Sequence, residues 1–236
     1  METPDLPPLL ALHGVPTSPD LWGRLPCAVE APTLAGLSGG APVPASLAGW
    51  LEALRPRVRP DTVLVGHDLG GVLAALLAVD HPVRGLVLSG TSLSPAYWAL
   101  IRASAWPGLE RYFYRRHGGR KFLVGGLAPA RHDEALQTFL PEPGADDLPA
   151  RMRAIAHAMR VPADLVPRLR TRGVPIRLVW GGRDPWYPLP LARRLARQLG
   201  ADLHTVDAGH LAPWEDPEGF AAALSGWPMP PTAPPR

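Results

Sequence analysis

An α/β fold with a mostly parallel, doubly wound sheet is what three features of this 236-residue chain predict. Short apolar runs alternate with runs at helical spacing, the pattern of strands joined by crossover helices. The run Thr62 to Gly66 is almost wholly apolar, as a strand covered on both faces should be. That run continues as His67-Asp68-Leu69-Gly70-Gly71-Val72-Leu73, which reads as a strand, a sharp turn and a helix. Glycines stand where a tight turn leaves no room for a Cβ. The turn thrusts Asp68 out at the C-terminal edge of the sheet, beside the first amides of a helix.

Length and composition narrow the classes. The chain suits one domain with a substantial core, and 46% hydrophobic residues fit a globular protein. A formal charge of +3 is small for this length and gives no reading of nucleic-acid binding. Basic residues between Arg102 and Arg131 face only Glu110, which reads as a solvated helical face. A single cysteine, Cys27, leaves no intrachain disulfide. No leader opens the chain and no apolar run reaches the roughly 18 residues of a membrane span. A cytoplasmic protein without membrane contact is expected, and a monomer and a homodimer fit equally. The eight histidines lack metal-binding spacing and no phosphate-loop motif occurs, so no cofactor or metal is expected. The expected partner is a small-molecule substrate.

The elements follow in order. Leu9 to Leu12 is a strand ending at His13-Gly14-Val15-Pro16, and Ala28 to Ala31 is a second. Ser46 opens an amphipathic helix to about Leu54, closed by Pro56 and Pro60. After the Asp68 turn a helix runs to Val79, apolar all round and therefore buried. Val83 to Ser89 is the next strand. From Thr91 to Pro167 the alternation gives way to short helical pieces separated by proline and glycine pairs such as Gly125-Gly126. Val174 to Trp180 resumes the sheet and leads to Gly181-Gly182-Arg183-Asp184. Leu189 to Leu199 is a helix capped by Gly200. Ala201 to Val206 is the last strand, ending at Asp207-Ala208-Gly209-His210, and Pro217 to Leu224 is the last helix.

Asp68, Asp184 and His210 thus each follow a predicted strand, at the edge where open α/β sheets assemble their sites. Asp207 is nearer His210 in sequence, but its place at the strand end makes it a poorer orienter. In order and spacing these segments resemble the nucleophile, acid and histidine of the α/β-hydrolases, whose elbow reads Gly-x-Ser-x-Gly in esterases. Here Asp68 stands where the serine would be, which resembles the aspartate-nucleophile branch of epoxide hydrolases and haloalkane dehalogenases. The resemblance implies catalytic Asp68, Asp184 and His210, with the amides of Val15 and Leu69 as oxyanion hole. It implies a core from residues 1–90 and 168–227, a helical cap over 91–167 after the family's sixth strand, and a proline-rich tail over 228–236. The family's N-terminal hairpin is expected to be reduced, with the edge left to the prolines at 4, 7 and 8.

A carboxylate is a poor attacker of an ester carbonyl, because the anhydride it forms reverts. At an sp³ carbon it displaces a leaving group and leaves a stable alkyl ester. The branch therefore implies hydrolysis through an aspartyl ester, most simply of an epoxide to a diol. Epoxide hydrolases protonate the ring oxygen with two cap tyrosines. Tyr112 and Tyr114 are the candidates here, with His157 the one donor of the later cap helix and Trp186 a further candidate. The alternative is a haloalkane or haloacid dehalogenase, although Leu69 and Val15 stand where halide-binding Trp and Asn are usual. Trp98, Trp106 and Trp186 carry indole N–H groups able to take that part. A third expectation is a binding protein on this scaffold without turnover.

Overall fold

The computed structural model describes residues 7–37, 43–44, 46–104, 106, 109, 123–140 and 148–225. Six strands form one parallel sheet: β1 (Leu9–Leu12), β2 (Val29–Glu30), β3 (Val63–His67), β4 (Gly85–Ser89), β5 (Ile176–Gly181) and β6 (Asp202–Val206), ordered β2-β1-β3-β4-β5-β6. The register pairs Leu9 with Val63, Val63 with Gly85, Leu86 with Ile176 and Arg177 with Asp202. Because every neighbour is parallel, the segments following β1, β3, β5 and β6 all emerge at one edge. The sheet's outer strand on that side is β2, paired with β1. Of the N-terminal prolines expected to manage this edge, Pro4 lies outside the described residues, and Pro8 leads into β1 instead, its carbonyl accepting the Val63 N–H at 2.9 Å.

Alternation along the strands divides their side chains between two cores, as a sheet covered on both faces requires. Leu10, Leu12, Leu64, Leu86, Leu88 and Leu178 point to one face, Leu9, Ala11, Val63, Val65, Val87 and Val179 to the other. The first face is covered by α1 (Leu47–Leu54), α2 (Leu69–Asp80), α6 (Leu165–Arg172) and α7 (Leu189–Leu199). The second is covered by α8 (Ala212–Glu215) and α9 (Pro217–Leu224), with Trp22, Trp214 and Phe220 wholly enclosed. Helix α7 ends at Gly200 with φ 66°, and α6 at Gly173 with φ 67°, the left-handed cap that glycine adopts without strain.

Between β4 and β5 lie α3 (Pro95–Ser104), α4 (His132–Phe139) and α5 (Leu148–Ala158). Apolar residues of this stretch join both existing cores: Trp98, Ile155 and Met159 the first, Leu123, Ala135 and Phe139 the second. Helix α6, which crosses residue 167, packs against α2 within the layer that flanks the sheet.

Helix α2 meets β1 so closely that a Cβ on Gly70 would lie 2.2 Å from the Leu12 carbonyl oxygen and 2.5 Å from that of His13. Those are backbone atoms of a central strand and cannot step aside. Gly70→Ala is expected to lower the urea midpoint at unchanged m, by about 1–3 kcal/mol of stability. An unchanged midpoint would show that the helix does not approach the strand this tightly.

Candidate active site

Asp68 sits between β3 and α2 with φ 52° and ψ −121°, the one non-glycine residue of positive φ among the described residues. Such a backbone costs about 1–3 kcal/mol and persists only where its surroundings enforce it. Here its N–H donates to Ser89 O at 3.1 Å, and its carbonyl accepts from Gly71 N–H at 3.0 Å and the Thr91 hydroxyl at 2.6 Å. The turn ends β3 and begins α2, so the carboxylate faces the amides at the start of the helix.

The two carboxylate oxygens have different partners. Oδ2 accepts the Val15 N–H at 2.9 Å, and the Leu69 N–H also bonds the carboxylate. Oδ1 accepts the Tyr187 hydroxyl at 2.8 Å. Gly14 makes this seat possible, since a Cβ there would stand 2.4 Å from both Cβ and Oδ2 of Asp68. Burial raises the Asp68 pKa, while His210, the two amides and the phenol favour the anion and oppose that rise.

His210 and Asp184 come from the loops after β6 and β5. His210 Nδ1 lies 2.9 Å from Asp184 Oδ2. A carboxylate there accepts a proton from Nδ1 and leaves Nε2 as the ring's basic nitrogen. Asp184 Oδ1 accepts the N–H groups of Trp186 and Tyr187 at 2.9 and 3.0 Å. Burial alone would raise the Asp184 pKa, but the charge and hydrogen bond of His210 and these two amides hold it below the ordinary value. For His210 burial disfavours the imidazolium; the opposing charges of Asp184, Asp68 and Glu215 outweigh it and raise its pKa above 6.5.

Further contacts fix the loops around the site. His67 Nε2 is 2.9 Å from the His210 carbonyl, which can only accept, so Nε2 carries the proton. Its ring lies 4.6 Å from that of His210, and burial, then the neighbouring imidazole, lowers its pKa to about 3. The His210 N–H donates to Gly126 O at 2.8 Å. Glu215 accepts the Leu211 N–H at 3.0 Å. At the other end, buried His13 accepts the Leu34 N–H on Nε2 at 3.2 Å and donates from Nδ1 to Gly14 O at 3.0 Å. Burial lowers its pKa to about 4, so the ring stays neutral and ties the Val15 turn to the following loop.

The structure brings together Asp68, Asp184, His210 and the amides of Val15 and Leu69. It does not bring His157 with them: on α5 that side chain is exposed to solvent. Tyr112 and Tyr114 lie outside the described residues. Trp98 is buried with its N–H donated to Ser92 O at 2.8 Å, and Trp106 is exposed. Trp186 lies against Gly126, where a Cβ would come within 2.9 Å of the indole nitrogen. Asp207 pairs with Arg183 at the surface, away from His210. The sequence reading passed over Tyr187 and His67. Tyr187 is buried, its ring stacked on His210 with centroids 5.5 Å apart. The signal for it was the Asp-x-x-Tyr spacing, which turns residue 187 inward once Asp184 caps the turn. A cleft of about 990 Å³ lies between Thr91–Tyr97, α6 and α7; its lining includes Tyr97, whose ring packs on Tyr187, but none of Asp68, Asp184 and His210.

No group of three or more His, Cys, Asp or Glu side chains able to hold a metal occurs among the described residues. No helix there is long and apolar enough to cross a membrane.

The buried, neutral His67 makes stability pH-dependent. Unfolded, the ring titrates near 6.5; folded, near 3, so below pH 6.5 the unfolded chain binds the extra proton and stability falls as pH falls. One such group contributes up to about 1.4 kcal/mol per pH unit. His67→Gln is expected to be less stable at pH 7.5 but to show a shallower loss between pH 6.5 and 5 in denaturant titrations. Parallel slopes would contradict a neutral ring at this position.

Comparison with known proteins matches residues 9–223 to the model of the Alpha/beta hydrolase family. A pimeloyl-[acyl-carrier protein] methyl ester esterase of Aromatoleum aromaticum is 28% identical, over 92% of this chain and 96% of its own. A thermophilic esterase from Thermogutta terrifontis superposes with TM-score 0.69 at 23% identity, over 93% of this chain and 88% of that one. A loop variant of haloalkane dehalogenase DbeA-M1 from Bradyrhizobium elkanii superposes with TM-score 0.66 at 20% identity, over 94% and 89%. At these identities the two structures speak for the fold alone, and the curated relative is named as an esterase rather than an epoxide hydrolase. With the parallel sheet, the elbow at Asp68 and the family match over almost its whole length, the chain belongs to the alpha/beta hydrolase family.

Proposed function

We propose that this hydrolase works without a cofactor through an ester on Asp68, and that it opens epoxides to diols. The observation that carries the reading is the seat of Oδ2. In a hydrolase with a hydroxyl nucleophile, the oxyanion hole stays open for the substrate's carbonyl oxygen. Here the Val15 amide already holds an oxygen of the elbow residue itself, at 2.9 Å. An incoming carbonyl oxygen would have to displace it. An aspartyl ester needs no such exchange, because Oδ2 becomes the oxyanion when water adds to Cγ.

In the first step Oδ1 attacks an epoxide carbon, the ring C–O bond breaks, and its electron pair moves to the ring oxygen, which takes up a proton. That oxygen departs from the side of the carbon opposite Oδ1. Tyr112 and Tyr114 remain the candidate donors there. In the second step His210 Nε2 removes a proton from water, the hydroxide adds to Cγ, and the amides of Val15 and Leu69 hold the charge on Oδ2. Asp184 keeps Nδ1 protonated and Nε2 free, and stabilises the imidazolium. Leu69 offers no N–H beyond its backbone, and the Trp98 indole is committed to Ser92; both weigh against halide as leaving group.

A second reading takes its support from the curated relatives: hydrolysis of a methyl ester. It lacks an elbow hydroxyl and meets a filled oxyanion hole. The test sets the readings apart with His210→Gln, which blocks only the second step. Incubated with styrene oxide, this variant is expected to gain one adduct mass on the peptide holding Asp68, and Asp68→Asn none. An adduct from 1-bromobutane alone would transfer the assignment to a dehalogenase. Hydrolysis of methyl butyrate with no adduct from either alkylating agent would overturn the aspartyl-ester reading.

The charges around His210 set the pH profile. The base must be neutral, and against burial the charges of Asp184 and Glu215 favour its protonated form, so turnover is expected to fall on the acid side. In Asp184→Asn burial is opposed by one charge fewer. The midpoint is expected to move to lower pH while the rate falls by up to about 10⁴-fold as the tautomer is lost. A limb that stays in place would show that another group controls it.

A further inference from the structure

We propose that Tyr187 is the acid of the second half-reaction, whose hydroxyl protonates the alkoxide that departs as the Asp68 ester breaks down. This rests on the aspartyl-ester reading above and adds the one proton donor which that reading leaves unassigned. The argument follows a single atom. Oδ1 attacks the substrate and becomes the bridging oxygen of the ester. When water adds at Cγ, the bond that breaks is Cγ–Oδ1, so Oδ1 leaves inside the product alcohol. The group 2.8 Å from Oδ1 is the Tyr187 hydroxyl. The leaving oxygen of the first step lies across the attacked carbon from Oδ1, so this phenol is on the wrong side to serve it.

The protons balance. Water gives one to His210 Nε2, and the hydroxide forms the new bond to Cγ. The tetrahedral intermediate collapses with loss of the Cγ–Oδ1 bond pair to Oδ1, which takes the Tyr187 proton and leaves as alcohol. Asp68 is then a carboxylic acid against a tyrosinate, a far stronger base, and passes its proton across the same contact. That restores the phenol–carboxylate pair of the resting structure, and the imidazolium releases its proton to solvent.

The surroundings hold the phenol in place and time its acidity. The Tyr187 N–H donates to Asp184, and its carbonyl accepts the Trp180 indole N–H at 2.8 Å. The hydroxyl also hydrogen-bonds Tyr97, and the ring stacks on His210 at an angle of 16°. Burial first, then the Asp68 charge, raise its pKa well above 10, so at rest it remains a donor. Esterification removes that negative charge, and base catalysis puts a positive one on the stacked imidazole. Both changes strengthen the acid at the step that uses it. In the first step, by contrast, its hydrogen bond withdraws electron density from the attacking oxygen.

Tyr187→Phe separates these roles. Rapid-quench mass spectrometry with styrene oxide is expected to show alkylation of Asp68 at the wild-type rate or faster, and hydrolysis of the ester about 10²–10⁴-fold slower. The variant should therefore accumulate the adduct that the wild type does not, and that adduct itself reports a folded site. The deficit should shrink with 1,1,1-trifluoro-2,3-epoxypropane relative to 1,2-epoxybutane, because the more acidic alcohol needs less help to leave. A role confined to packing would slow both steps and ignore the leaving group. If His210→Gln traps the ester while Tyr187→Phe hydrolyses it at the wild-type rate, or is not alkylated at all, the assignment to Tyr187 is overturned. If His210→Gln is unmodified by all three epoxides and by 1-bromobutane, the aspartyl-ester reading falls, and this inference with it.

Discussion

The hydrogen bond from the Val15 amide to Asp68 Oδ2, at 2.9 Å, is the constraint from which the rest of the site follows. It requires a carboxylate on a backbone held at positive φ, facing a turn whose Gly14 offers no side chain. Both partners sit at the ends of adjacent parallel strands, β1 and β3, so the sheet register sets their spacing before any side chain is chosen. The strain at Asp68 is met by two contacts reaching into the Ser89–Thr91 turn and one from Gly71 of α2. Nucleophile position and oxyanion geometry are thus one feature of the sheet edge.

The histidine side is built differently, by cross-ties between loops. His67, the elbow residue before Asp68, holds the His210 carbonyl, while Gly126 from the insertion holds its amide. Glu215, half-buried and with its pKa raised by that burial, accepts amides from the same loop. A residue of β3 and one of the insertion therefore hold the backbone of His210, and one of α8 holds the amides on either side of it. Such a loop needs little reorganisation when its ring takes up a proton, which is what a base in a water-poor site requires.

Much of this was legible in the sequence because it is local. The bounds of α7 and α9 follow from Pro and Gly at their ends, and β3 from its apolar run into a glycine turn. The family order of Asp68, Asp184 and His210 follows from strand ends. What escaped depends on contacts distant in sequence. Trp186 drew attention as an indole, yet the turn capped by Asp184 sends Tyr187, the next residue, to Asp68. Gly125-Gly126 reads as loop punctuation, but the backbone there packs against His210 and Trp186, where a side chain would collide. His157 reads as a donor on a helix, and only the packing of α5 on α3 decides that its side chain faces solvent. The outer strand β2, two residues long, lies within the run Ala28 to Ala31 that reads as a strand.

A carboxylate at the elbow also changes what its neighbours can do, and at different moments. At rest its charge helps to raise the pKa of His210 and of Tyr187 alike. An imidazole is a base only in its neutral form, so that charge would work against the second step if it persisted through the cycle. In the proposed reaction it does not persist. Esterification neutralises Asp68, which lowers the proton affinity of both neighbours together: the imidazole holds a proton less readily as the phenol becomes a better acid. Hydrolysis then restores the charge and with it the resting proton affinities. An elbow hydroxyl, neutral before attack and neutral again as the ester, has no comparable charge to lose. The substitution of Asp at this turn thus replaces one nucleophile by another and, through electrostatics alone, couples each chemical step to the protonation state that the next one needs.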